Sequence, residues 1–174
     1  VGHGDRVGLL MSNRPEFIEV YVAAARLGAI VAPFNLRFTP HELAFVVDNA
    51  DGDVVVTEPA LAGGLSLAAE QRALTVIDVD GDSYTDLMAN DGTFAAPHVD
   101  PDDPWFICFT SGTTGDPKGV LYSHRSTLLH SFTIALPDLF SLSEHETVLP
   151  VVPMFHVNAW GIPYAAAMTG TRLV

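Results

Sequence analysis

Ala29-Ile30-Val31-Ala32-Pro33, then Thr39-Pro40-His41-Glu42, then Asp53-Val54-Val55-Val56-Thr57 are the pieces of one stretch that decide the fold. The first and last are short apolar runs rich in β-branched residues, the pattern of buried strands. Between them stands a capping box, with Thr39 as cap, Pro40 first in the helix and Glu42 third, which starts a helix running to about Val47. It stops at Asp48-Asn49-Ala50-Asp51-Gly52. Upstream, Pro15–Leu27 places Phe17, Val20, Tyr21, Ala24 and Leu27 at helical spacing. Asn13 or Arg14 stands near its cap, and Gly28 holds the place of a helix-ending glycine. Arg6–Met11 alternates poorly but is apolar enough for a buried strand. Strand–helix–strand–helix–strand is the order of an α/β fold, a parallel sheet layered between flanking helices.

Downstream the pattern is looser. Ala60–Ala73 reads as a helix and Leu74–Val79 as a strand. Asp80–Asp103 is acidic, with glycines and prolines, and reads as a surface connection. Trp105-Phe106-Ile107-Cys108-Phe109 is an apolar strand, and Gly119-Val120-Leu121-Tyr122 looks like its hairpin partner. Ser123 is the N-cap of a helix from His124 to about Ala135. Thr147–Val152 reads as a strand, Pro153–Phe155 as a loop and His156–Met168 as a helix. The last residues, Thr171-Arg172-Leu173-Val174, look like another strand.

The chain has 174 residues and a net charge of −13. That balance argues against nucleic acid as a partner, because a phosphate backbone needs a basic face. No run of about 18 apolar residues is present, so no transmembrane helix is expected. No signal peptide is visible, and the expectation is a cytoplasmic protein. The single cysteine, Cys108, lies inside an apolar strand and reads as a reduced core residue. Metal ligation is not expected, since His145 and His156 lack ligand spacing.

Between the two strands of the hairpin lies Thr110-Ser111-Gly112-Thr113-Thr114-Gly115-Asp116-Pro117-Lys118-Gly119. Four hydroxyls, three glycines and one lysine stand within ten positions. Glycines let a backbone approach a ligand closely, and successive N–H groups make an anion-binding nest. The ligand this suits is a polyphosphate. The stretch is not a Walker A loop, since Pro117 precedes the lysine and a strand rather than a helix follows. The plain alternative is a flexible linker. A linker has no reason to sit between two apolar strands or to carry Asp116-Pro117-Lys118-Gly119.

This decapeptide resembles the phosphate-loop signature of the adenylate-forming (AMP-binding) superfamily, which includes acyl-CoA synthetases, peptide-synthetase adenylation domains and luciferases. Val152-Pro153-Met154-Phe155-His156-Val157-Asn158-Ala159-Trp160-Gly161 is similar to the acyl-pocket segment of medium- and long-chain fatty acyl-CoA synthetases. The likeness extends to Gly4-Asp5-Arg6-Val7 and Pro33-Phe34-Asn35-Leu36-Arg37. It implies that the chain is part of the larger N-terminal domain of such an enzyme, residues 1–104 forming an α/β portion and 105–174 the phosphate-loop and acyl-pocket portion. The mean hydropathy of +0.28 fits surfaces that pack against further parts.

The resemblance implies ATP, Mg²⁺ and coenzyme A as reactants or cofactors, and a small-molecule carboxylic acid as substrate. An acyl-adenylate would form first, and the CoA thiol would then displace AMP. Thr110, Ser111, Gly112, Thr113, Thr114 and Gly115 would bind phosphate. Lys118 would set a charge against the leaving pyrophosphate; its alternative is a solvated loop lysine. His156 would lie beside the acyl carboxylate and the α-phosphate, or be a core or capping histidine. Trp160, expected on the same helical face four residues on, would gate an acyl tunnel, or be a core tryptophan. Gly161 leaves room beside it. The adenine, ribose and magnesium residues would lie beyond Val174. Loading of a carrier protein, a short thio-substituted or aryl acid, a non-catalytic fragment and homodimerisation all stay open.

Overall fold

In the computed structural model, which describes residues 1–90, 94–110 and 115–174, a sheet of six strands is covered on both faces. The strands are β1 (Arg6–Leu10), β2 (Ile30–Pro33), β3 (Val54–Thr57), β4 (Thr75–Asp78), β5 (Pro104–Thr110) and β6 (Lys118–Ser123). Their order is β4-β3-β1-β2-β5-β6, all parallel except the closing β5–β6 hairpin.

Handedness of the crossovers explains which helix goes where. Helix α1 (Pro15–Leu27) carries the chain from β1 to β2, and α2 (Pro40–Ala50) carries it back past β1 to β3. Two right-handed crossovers in opposite directions must use opposite faces. The core is accordingly split. Val7, Leu9 and Met11 of the β1 segment meet Phe17, Tyr21 and Ala24 of α1. Leu10 meets Leu43, Val46 and Val47 of α2 on the other side. Gly8 sits at mid-strand because a Cβ there would lie 2.6 Å from the Phe34 ring. Poor alternation in Arg6–Met11 is thus the mark of a strand buried on both faces.

Both helix boundaries around the first two crossovers hold. Gly28 ends α1 in the left-handed conformation, and Thr39 and Glu42 close the capping box of α2. The cap of α1 is Arg14, which makes no side-chain cap bond. Its guanidinium instead donates to Glu16 (3.0 Å) and to Asp80 (2.7 Å). This contact with Arg14 holds both carboxyls below their ordinary range. The pair contributes stability that is full above the ordinary carboxyl values and is lost as pH falls through the lowered folded ones. Arg14→Gln is expected to remove that part of the acid limb, seen as a flatter dependence of the thermal midpoint on pH below neutrality. An acid limb parallel to the parent's would refute this.

Several expectations need correction. The helix expected over Ala60–Ala73 is broken into α3 (Pro59–Ala62), a 3₁₀ turn at Gly63–Leu65 and α4 (Ser66–Gln71). Paired glycines at 63 and 64 disfavour one continuous helix. The acidic connection contains α5 (Asp82–Ala89), whose Tyr84 hydroxyl donates to Glu19 on α1. Regular structure in Thr147–Val152 is confined to β7 (Thr147–Val148), paired in parallel with β8 (Arg172–Leu173). The chain after it is held by Asn13, whose side chain donates to the carbonyls of Pro150 and Val152 and accepts from Met154 N–H. Ser123 caps α6 (His124–Ala135) as expected, through reciprocal bonds with Ser126.

Candidate active site

The hairpin and the cavity behind it share one strand. Thr110 ends β5, and Lys118 opens β6 directly opposite. The Thr110 hydroxyl donates to the Lys118 carbonyl at 3.4 Å, which narrows the neck of the loop. Both side chains are exposed, as is Gly115, whose φ of +118° suits only glycine. Ser111, Gly112, Thr113 and Thr114 lie outside the described residues.

Further down β5, Phe106 and Cys108 line a cavity of about 360 Å³ with Tyr122 of β6. Its other side is formed by His130 of α6, by Asn158 and Gly161, and by Tyr164 of α7 (Ile162–Thr169). Side chains alternate along a strand, so 106, 108 and 110 share a face. Cys108 and Thr110 are therefore about 7 Å apart along β5, at the usual strand rise. The volume falls within the range of about 300–1,000 Å³ of small-molecule sites. Burial pushes the Cys108 thiol up, and its Sγ meets the Val157 N–H, so it lines the cavity as a neutral group.

Residues 157–161 overturn the single helix expected over His156–Met168. Val157, Asn158, Ala159, Trp160 and Gly161 have φ of 49°, 48°, 47°, 57° and 73°. This is one left-handed turn, and α7 begins only after it. A left-handed conformation costs about 1–2 kcal/mol for each residue bearing a Cβ. Long-range bonds hold it. Tyr21, 1% exposed, donates from its hydroxyl to Asn158 Oδ1 at 3.0 Å. Burial pushes the Tyr21 and Tyr164 hydroxyls well up, so both stay protonated. From α6, His130 Nε2 donates to the Trp160 carbonyl at 3.0 Å.

The turn separates the residues expected to act together. His156 and Trp160 do not share a helical face, and both side chains are exposed outside the cavity lining. Trp160 is 51% exposed and stacked on Phe140 at 6.4 Å, which rules out a core tryptophan. Of the three expected acid-pocket residues only Gly161 lines the cavity. Sequence reasoning missed Tyr21, His130 and Asn158. Tyr21 reads as one more apolar helix position. The only signal was Asn158, a polar residue inside an apolar run.

The fold is a doubly covered α/β sheet in which β5 leads into a hydroxyl-rich stretch of sequence and carries an apolar cavity beside it. The chain matches the AMP-binding enzyme family over residues 1–174 and belongs to it. It is 42% identical to the medium-chain-fatty-acid–CoA ligase of Ectopseudomonas oleovorans, covering 98% of this chain and 34% of that one. It is 37% identical to a 3-methylmercaptopropionyl-CoA ligase of Ruegeria lacuscaerulensis, with the same coverage. The inhibitor-bound N-terminal domain of FACL13 from Mycobacterium tuberculosis superposes with a TM-score of 0.84 at 32% identity, over 99% of this chain and 44% of that domain. The chain thus spans about a third of the length of the curated relatives it matches.

Proposed function

We propose that the chain supplies the phosphate loop and the acid pocket of an AMP-forming acid–CoA ligase acting on a medium- or long-chain fatty acid. The observation that carries this reading is β5 itself, with Phe106 and Cys108 at the cavity and Thr110, the residue that leads into the loop sequence, on the same face. Adenylation needs a carboxylate brought against the α-phosphate of ATP, and one strand that carried both subsites would provide that proximity. The loop from Thr110 through Ser111, Gly112, Thr113, Thr114 and Gly115 would hold the phosphates. Lys118 would stabilise charge on the departing pyrophosphate. His156, exposed at the entry to the left-handed turn, would stand by the carboxylate, and Trp160 and Gly161 would bound the acyl chain. Coenzyme A would take the acyl group from the adenylate.

Magnesium, which the family implies, has no assigned residues on this chain: among the described residues no three of His, Cys, Asp and Glu gather to hold a metal. No helix of the described residues is long and apolar enough to cross a membrane.

The full-length protein is expected to support acid-dependent ATP–pyrophosphate exchange with straight-chain fatty acids. A panel running from short to long acids decides the substrate. Exchange with no acid in the panel would overturn the reading. A preference for 3-methylmercaptopropionate would favour the second reading, a short thio-substituted acid ligase, which the 37% identical relative supports. Trp160→Ala is expected to alter the chain-length profile with little loss of stability. The stack on Phe140 is half-exposed, and an aromatic pair is worth only about 0.5–1.5 kcal/mol. A profile identical to the parent's would remove Trp160 from the acid site.

A further inference from the structure

We propose that Tyr21 and His130 are positioning residues that set which acids the cavity accepts, because they clamp its left-handed wall at two points, Asn158 and the Trp160 carbonyl. The inference rests on reading the cavity as the acid's site.

Four successive side-chain-bearing residues in the left-handed region are not held by local preference, since such residues normally occur singly. Strain of this kind persists only where surrounding structure over-determines it. Here the surroundings can be named. The inner hold is the Tyr21 hydroxyl on Asn158 Oδ1, and Tyr21 is itself fixed by stacking on Phe17 at 5.2 Å. The outer hold is His130 on the Trp160 carbonyl. Val157, Asn158 and Gly161, which face the cavity, lie on the turn these two bonds secure.

Tyr21 is informative because it does not line the cavity. A phenylalanine would fill its place among Phe17, Trp105 and Phe106, so its hydroxyl serves the turn rather than the packing. Effects of that hydroxyl on acid preference pass through Asn158 and through Tyr164, a lining residue whose buried hydroxyl also bonds to it. His130 lies on a different helix, α6, and lines the cavity as well as holding the turn. Loss of either hold should change the wall in the same sense, by letting residues 157–160 relax toward ordinary backbone.

The test uses the full-length protein and the variants Tyr21→Phe, His130→Leu and His130→Gln. The readouts are kcat/KM over a series of straight-chain acids, KM for ATP, the thermal midpoint, and amide hydrogen exchange across residues 157–161. Tyr21→Phe and His130→Leu are expected to shift the kcat/KM ratio between the preferred acid and one two methylenes longer by about five- to tenfold, the worth of one neutral hydrogen bond. KM for ATP should stay at the parent value, and exchange in the turn should quicken. His130→Gln, whose amide can donate to the same carbonyl, should restore the ratio. An unchanged ratio, or an equal loss for every acid accompanied by a lower midpoint, overturns the specificity role. Unchanged exchange in Tyr21→Phe overturns the clamp, whatever acid the enzyme uses. A parent that activates no acid overturns the reading of the cavity and the specificity role with it, while exchange still reports on the clamp.

Discussion

Lys118→Ala is expected to slow ATP–pyrophosphate exchange in the full-length protein by about 100-fold, the usual loss when one preorganised donor to developing charge is removed. The structure makes this substitution clean. Lys118 is exposed, and what it gives to the hairpin is backbone: its register opposite Thr110, and the carbonyl that accepts the Thr110 hydroxyl. Alanine keeps both. A loss of exchange with an unchanged thermal midpoint therefore reports on phosphate, not on folding. Lys118→Arg should recover part of the rate, because it returns the charge without the compact ammonium head. Ser111→Ala should weaken exchange as well. Parent rates in both alanine variants would make the loop a structural turn.

Gly161→Val is expected to destabilise the protein by about 3 kcal/mol and to impair use of the acid. At φ +73° a residue with a Cβ costs about 1–2 kcal/mol. The new Cβ would also lie 2.7 Å from His130 Cδ2, so the imidazole must move and its bond to the Trp160 carbonyl, worth about 1 kcal/mol, breaks. The midpoint of denaturant unfolding measures the first effect and KM for the acid the second. In a His130→Ala background the steric part should vanish, so the two substitutions should destabilise less together than the sum of their separate effects. Strict additivity would show that His130 and Gly161 are not coupled through this contact.

Much of the architecture was legible because its signals are local. The capping box at Thr39, the glycine at 28 and the valines of 54–56 each act within a few residues, and together they fix strand–helix–strand order. The hairpin was legible for the same reason, as two apolar runs around a loop rich in glycine and hydroxyls. The short α5 was hidden because its apolar residues are few and exposed. The candidate site was legible in half. Its loop is a contiguous motif, while its cavity comes together from β5, β6, α6, the turn before α7 and α7 itself.

An α/β chain with a glycine- and hydroxyl-rich loop between two strands follows from local pattern alone, since periodicity, caps and glycine spacing are properties of neighbouring residues. The cavity and its wall come from long-range contacts instead. The turn at 157–161 runs against the helical preference of its own residues, and the bonds that hold it come from 137 positions away at Tyr21 and 30 at His130. Local pattern placed His156 and Trp160 on one helical face. Hydrogen bonds from distant, rigid elements outweigh that preference, put both side chains at the surface and give the cavity its wall.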